Sequence, residues 1–264
     1  MEISDVSVLE VENLSKSYRG IPAIQNVSFS LRAGEIVGYL GTNGSGKSTT
    51  VRIITGLLQP SDGRVLFNGR DIRTDLPRFR ESLGYIPEEA HLYAYMSGME
   101  YLQLVGRLRG MSEKTIDIKA NGMLRLLGLE SWRHSPMSLY SKGMRQRVLM
   151  AAALIHDPKL LVFDEPLSGL DILSARLFKD LLQELAASGK AIFYISHVFE
   201  IVEQLCTRVL VISKGKILAD APPSELTRVM QLSSLERVFA QLVEQQDTKS
   251  IASEMVAVMQ VANH

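Results

Sequence analysis

Two short stretches of this sequence carry residue types and spacings suited to phosphate chemistry. The first, Gly41-Thr42-Asn43-Gly44-Ser45-Gly46-Lys47-Ser48-Thr49, fits the pattern G-x-x-x-x-G-K-[ST]. An apolar run (Ile36 to Leu40) precedes it and a helical segment (Thr49 to Leu58) follows it. Glycines at these positions let backbone N–H groups turn inward around an anion, and the following helix start adds its partial positive charge. Lys47 then supplies a full charge to the β- and γ-phosphates of a nucleotide, and the Ser48 hydroxyl is a ligand for Mg2+. The second stretch, Leu160-Leu161-Val162-Phe163-Asp164-Glu165, is an apolar strand ending in two acids. Ligands of parallel sheets sit beyond the C-terminal strand ends. That places Asp164 beside the metal held by Ser48 and leaves Glu165 to orient and deprotonate a water. Taken alone, Asp-Glu-Pro is also an ordinary turn closing a strand. The Asn-Lys-x-Asp guanine reader is absent, so guanine specificity is not expected.

The elements that must position these residues are legible in outline. Short apolar runs separated by Gly and Asn/Asp turns predict strands at Val8 to Val11, Val27 to Leu31, Ile36 to Leu40 and Arg64 to Phe67. Residues 90–155 read as helical: Ile116, Ala120, Met123, Leu124 and Leu127 share one face, with Ser112 as N-cap and Gly128 at C′. Ser141 is a second N-cap, opening a helix that runs to Ile155 and stops at Asp157-Pro158. The runs Leu160 to Phe163, Ala191 to Ile195 and Val209 to Ile212 lack period-2 alternation, as strands buried on both faces do. After Pro222-Pro223, a stripe of Leu235, Val238, Phe239, Leu242 and Val243 predicts an amphipathic tail helix. The arrangement is an α/β core with a helical insertion and a C-terminal extension.

Composition bounds the partners. The 264 residues hold 29 Lys+Arg and 29 Asp+Glu, a balance with no electrostatic footprint for nucleic acid, and none is expected as a partner. A single cysteine, Cys206, excludes an internal disulfide and a four-cysteine zinc site. The acidic start, Met1 to Glu10, lacks the features of a signal peptide. Neither Val148 to Ile155 nor Ile251 to Ala262 reaches the roughly 20 apolar residues of a membrane span. The chain is therefore not expected to cross a membrane by itself; a cytoplasmic location is expected.

With these motifs placed, residues 8–220 resemble the nucleotide-binding subunit of an ABC (ATP-binding cassette) transporter. The resemblance implies a RecA-like P-loop NTPase core with a mainly parallel sheet, an antiparallel β subdomain and the helical insertion. It divides the chain into an ATP-binding core (1–88 and 157–220), a helical signature subdomain (89–156) and a C-terminal helical extension (221–264). Tyr18 matches the aromatic that stacks on adenine. Tyr140-Ser141-Lys142-Gly143-Met144-Arg145-Gln146 is similar to the signature sequence, and Leu167-Ser168-Gly169-Leu170-Asp171 to the D-loop. His197 matches the switch histidine, although alone it would read as an ordinary histidine at a strand end.

In the family the signature helix start, with Ser141 and Gly143, meets the γ-phosphate held by the opposite subunit. A homodimer, or a pair with another cassette subunit, closed around ATP and Mg2+ is thereby implied. Two departures from the usual pattern stand out, one in the signature and one at Glu88. Lys142 and Met144 replace a glycine and a glutamine, and Glu88 stands where a glutamine usually senses the metal. A Glu88 carboxylate still offers oxygen to Mg2+ but adds a second negative charge near the γ-phosphate. Gly84-Tyr85-Ile86-Pro87-Glu88-Glu89, Tyr140 to Arg147, and Ser234-Leu235-Glu236-Arg237-Val238-Phe239 resemble ATPase subunits of ABC-2-type exporters, which pair with separate membrane permeases at the inner face of the membrane. Glu88 to Tyr101, rich in Tyr and Met, lies where permeases of the family dock. A soluble cassette ATPase acting on ribosomes, DNA or chromosomes is the alternative, against which stand the single cassette and the neutral charge. A nucleotide-sensing regulator is a third.

Overall fold

A computed structural model describes residues 7–88 and 92–243. The N-terminal third builds the strands that flank the phosphate loop: β1 (Ser7–Tyr18), β2 (Ile21–Arg32), β3 (Ile36–Gly41), then helix α1 (Lys47–Ile54), β4 (Asp62–Phe67) and β5 (Arg70–Asp71). Each predicted strand in this region is present, and β1 and β2 extend well beyond their apolar centres because they pair along their length. Helix α1 is shorter than predicted. Leu57 and Leu58 both donate to the Arg52 carbonyl, and Gly56 turns the chain at φ 70°. A side chain at Gly56 would meet Leu76 Cδ1 at 2.4 Å, so the helix closes where space runs out.

Helix α2 (Leu76–Glu81) and strand β6 (Leu83–Ile86) lead into the insertion, formed by α3 (Gly98–Leu108), α4 (Glu113–Leu126) and α5 (Lys142–Leu154). Ser112 caps α4 as predicted, accepting from the Thr115 amide, and Gly128 takes φ 68° just past its end. Of the predicted α4 face, Ile116, Ala120 and Leu124 are buried, and Met123 and Leu127 partly so. A capping box not anticipated from sequence opens α3: the Ser97 hydroxyl accepts from the Glu100 amide, and the Glu100 carboxylate accepts from the Ser97 amide.

The chain then returns to the core through β7 (Leu160–Asp164), α6 (Ile172–Ala187), β8 (Ala191–Ile195), α7 (Phe199–Leu205), β9 (Arg208–Ser213) and β10 (Lys216–Ala221), and ends its described part with α8 (Pro223–Val229) and α9 (Leu235–Val243). Six strands form one sheet in the order β10-β9-β3-β8-β7-β6, parallel except for the β10 edge. The strands β6 and β10 were not marked by sequence. One spans only four residues before Pro87, and the other alternates exposed and half-buried residues at the sheet edge. A second, antiparallel sheet runs β2-β1-β4-β5.

Packing explains the uninterrupted apolar runs. One face of the six-stranded sheet, with Tyr39, Val162 and Phe193, packs with α1 and the antiparallel sheet, where Phe29 stacks on Phe193 at 5.3 Å. The other face, with Leu40, Phe163 and Tyr194, packs against α6, α7 and the tail. Helix α5 belongs to two cores at once: Met150 and Ala153 face the sheet, while Val148, Ala151 and Ala152 face the insertion. The tail stripe docks on the sheet, with Leu235 and Val238 buried and Phe239 against Phe199 at 5.0 Å. The apolar run Ile251 to Ala262 lies outside the described residues. Among the described residues no helix is long and apolar enough to cross a membrane.

Candidate functional site

Strand β3 delivers the phosphate loop from the middle of the sheet. Gly46 precedes α1 at φ 111°, and a side chain there would strike Ile24 Cγ2 at 2.6 Å and the Ala23 carbonyl at 2.8 Å. Only glycine satisfies both the conformation and the space. No side chain caps α1 and its first turn holds no acid, so its backbone donors are left for an anion. Lys47 Nζ donates to the carbonyls of Gly41 (2.7 Å) and Thr42 (3.0 Å), which holds the ammonium over the loop.

Parallel pairing in the order β3-β8-β7 brings the remaining groups to the same sheet end. Asp164 closes β7 opposite Ile195, the last residue of β8. The next residue, Glu165, takes the left-handed conformation (φ 49°), yet its amide continues the ladder by donating to the Ile195 carbonyl at 3.0 Å. Its Oε2 accepts a 3.4 Å hydrogen bond from Ser196 Oγ, and its Oε1 is buried, without a hydrogen-bond partner, 3.7 Å from His197 Nε2. Thr42 to Gly44, Gly46 to Thr49, Glu88, Asp164 and His197 line one cavity, with Ala23 of β2 as a wall. Ser45 is buried beneath the loop.

The electrostatics of this cavity are those of a site short of positive charge. Burial, then the Glu88 and Glu165 carboxylates, push Asp164 up to about 6, against the pull of Lys47. Glu165 is raised as well, chiefly by burial. Burial lowers Lys47 while Asp164, Glu165 and Glu88 raise it. His197 is lowered by burial and by Lys47. Crowded carboxylates beside a hydroxyl form an all-oxygen donor set that suits a hard divalent cation. Among the described residues no group of three or more His, Cys, Asp or Glu is arranged to hold a metal alone. The Ser48 hydroxyl and phosphate oxygens would have to complete a Mg2+ shell around Asp164, with Glu88 within the same cavity.

Other predicted residues stand apart. Tyr18 closes β1, half-exposed, with Lys16 Nζ 5.7 Å from its ring centre, and is not among the residues lining the phosphate cavity. Ser141 caps α5 as predicted, accepting from the Met144 amide at 3.2 Å. Gly143 lies against the Gly169 carbonyl, and Asp171 caps α6 through Ser174. Ser141 and Gly143 thus lie at the start of α5 beside the loop that leads to Asp171, and none of the three lines the cavity of their own chain. Sequence reasoning missed Ser196, the partner of Glu165, which only the β7–β8 pairing brings near. It also missed Phe239, which shares a groove with Thr42, Asn43, Ser196 and His197.

A family model for the ABC transporter matches residues 24–168. The chain is 37% identical over 220 residues to the ABC transporter ATP-binding protein NatA of Bacillus subtilis, covering 83% of this chain and 89% of that protein. It is 37% identical over 224 residues to the Nod factor export ATP-binding protein I of Ralstonia nicotianae, covering 85% of this chain and 70% of that protein. A solved ATP-binding subunit of an ABC transporter superimposes with a TM-score of 0.84 at 31% identity, covering 89% of this chain and 99% of that one. Together with the α/β sheet and the phosphate loop at its centre, these likenesses show that the chain belongs to the ABC transporter family, as one of its ATP-binding ATPase cassettes.

Proposed function

We propose that this cassette powers export through a separate membrane permease, two copies closing around ATP and loosening after hydrolysis. The observation that carries this reading is the separation within one chain: the phosphate loop lines one cavity, and the exposed start of α5 with Ser141 and Gly143 lines none of it. A helix start is a second anion site, which a neighbouring copy can bring to the γ-phosphate. Ile172 and Leu173, which follow Asp171, are 88% and 78% exposed, an apolar surface that a neighbour would cover.

Within each pocket, Gly41 to Thr49 cradle the phosphates, Lys47 neutralises them, and Tyr18 supports the adenine. Bound Mg2+ would supply Lewis-acid stabilisation of charge on the γ-phosphate. Glu165 takes the proton of the attacking water at its buried Oε1, and His197 holds the γ-phosphate side of the pocket. Residues 1–88 with 157–220 act as the nucleotide-binding core and 89–156 as the lever. The described part of the tail, residues 221–243, docks on the core. Tyr93 and Tyr95, 51% and 77% exposed with rings 5.9 Å apart, offer the permease an aromatic surface, while Met96 and Met99 pack into the insertion. This assembly places the chain at the cytoplasmic face of a membrane. Export as the direction draws support from the relative named for Nod factor export.

The test is Glu165→Gln with ATP. The variant, unable to remove the water's proton, accumulates an ATP-dependent dimer on size-exclusion chromatography. A monomer at saturating ATP speaks against the composite pocket. Affinity capture from detergent extract recovers a polytopic membrane protein; recovery of ribosomes or DNA instead supports a soluble role.

A further inference from the structure

The start of α5 is tied to the loop that follows Glu165, and we propose that Lys142 is a positioning residue that latches the two together. Lys142 occupies the first helical position, where a positive charge opposes the helix dipole. Its side chain leaves the helix and crosses to the loop, where Nζ donates to Ser168 Oγ at 3.0 Å. Its stem covers Gly169: a side chain there would meet Lys142 Cδ at 2.6 Å, so the glycine at φ 79° is what allows the lysine to lie down.

Two further contacts act over the same short span. Gln146 Nε2 donates to the Pro166 carbonyl at 2.8 Å, and a side chain on Gly143 would meet the Gly169 carbonyl at 3.0 Å. The loop is itself braced on the base, with the Ser168 amide donating to the Glu165 carbonyl at 3.1 Å. A short covalent and hydrogen-bonded path therefore runs from the exposed helix start, through Lys142 and Ser168, to the left-handed residue Glu165. Displacing the helix start displaces the loop, and with it the backbone of Glu165, whose carboxylate is held at its far end by the Ser196 hydroxyl and the His197 backbone. The latch lets occupancy at the α5 start set the orientation of Glu165 in the same chain. It rests on the reading of Glu165 as the group that handles water.

Steady-state ATPase and equilibrium ATP binding of the full chain test the latch, using Lys142→Met, Ser168→Ala, the double variant and Lys142→Arg. Loss of one exposed charge-assisted hydrogen bond lowers kcat by about three- to tenfold in Lys142→Met and Ser168→Ala, with ATP affinity and KM unchanged. The double variant falls no further than the worse single variant, and Lys142→Arg keeps most of the turnover. Normal turnover in Ser168→Ala alongside a defect in Lys142→Met overturns the latch, because the lysine would then act elsewhere. Independent, multiplying losses, or losses confined to KM, overturn it too. Active wild type with indifferent variants sinks the latch alone, whereas an inactive wild type removes the reading of Glu165 and the latch with it.

Discussion

Glu165 Oε1 and His197 Nε2 lie 3.7 Å apart, on the residues that follow two adjacent parallel strands. That distance exceeds a hydrogen bond, and Oε1 has no other partner. A buried carboxylate oxygen left unpaired is costly unless something else uses it. Here it sits beside His197, which lines the phosphate cavity, although Glu165 itself is not among the residues lining it.

Replacing Glu165 by Gln keeps the shape and removes the basicity. Phosphate release is expected to fall by about 10²–10⁴-fold, the usual worth of a general base, while ATP affinity is retained. A malachite-green assay beside a fluorescent-nucleotide titration measures both, and turnover close to wild type would falsify the assignment of the base.

Lys47→Ala removes the only ammonium among the described residues lining the cavity, while the glycine backbone remains. Nucleotide affinity is expected to drop beyond the range of the titration, with the fold intact by circular dichroism. Unchanged affinity places the phosphates elsewhere.

His197 is half-exposed and touches the cavity without shaping the sheet. His197→Ala is expected to lower kcat with little change in ATP affinity. A large loss of affinity instead assigns the imidazole to nucleotide binding.

Asp164 carries a stability consequence whose sign is opposite to that of a salt-bridged acid. Its folded pKa of about 6 lies above its ordinary value, so the folded chain holds a proton that the unfolded chain releases. The penalty is full above pH 6 and fades as pH falls toward 4. For the nucleotide-free and metal-free protein, Asp164→Asn is expected to add about 2–3 kcal/mol at pH 7 and progressively less between pH 6 and pH 4. Urea unfolding across that range checks it, and a gain that stays constant with pH contradicts the cause given.

His156 works the other way. Its Nε2 lies 3.0 Å from the Leu83 carbonyl, its Nδ1 is buried without a partner, and burial with nearby Arg109 pushes it down to about 4. Protonation adds a donor with no acceptor, so stability is present above about pH 6.5 and is lost as pH falls toward 4. The loss approaches about 3 kcal/mol at full protonation. His156→Gln flattens that slope in the same urea series; a slope equal to wild type removes His156 as its source.

What the sequence determined by itself is local. The phosphate loop, the caps at Ser112 and Ser141, the turn at Gly128 and the apolar strand ending in Asp164-Glu165 are each set by neighbours within a few residues, where backbone sterics and capping bonds act. The chemistry those residues could perform was readable for the same reason. Only the tertiary structure decided that β8 lies between β3 and β7, because parallel pairing joins segments far apart in the chain and no short pattern encodes the order. That order brings Lys47, Asp164 and His197 to one cavity, sets Ser196 against Glu165, and places β6 at an edge. The left-handed turn at Glu165 and the reach of Lys142 to Ser168 likewise depend on what packs beside them. A side chain's contacts are fixed by space, and space is settled only when the sheets and helices have closed around it.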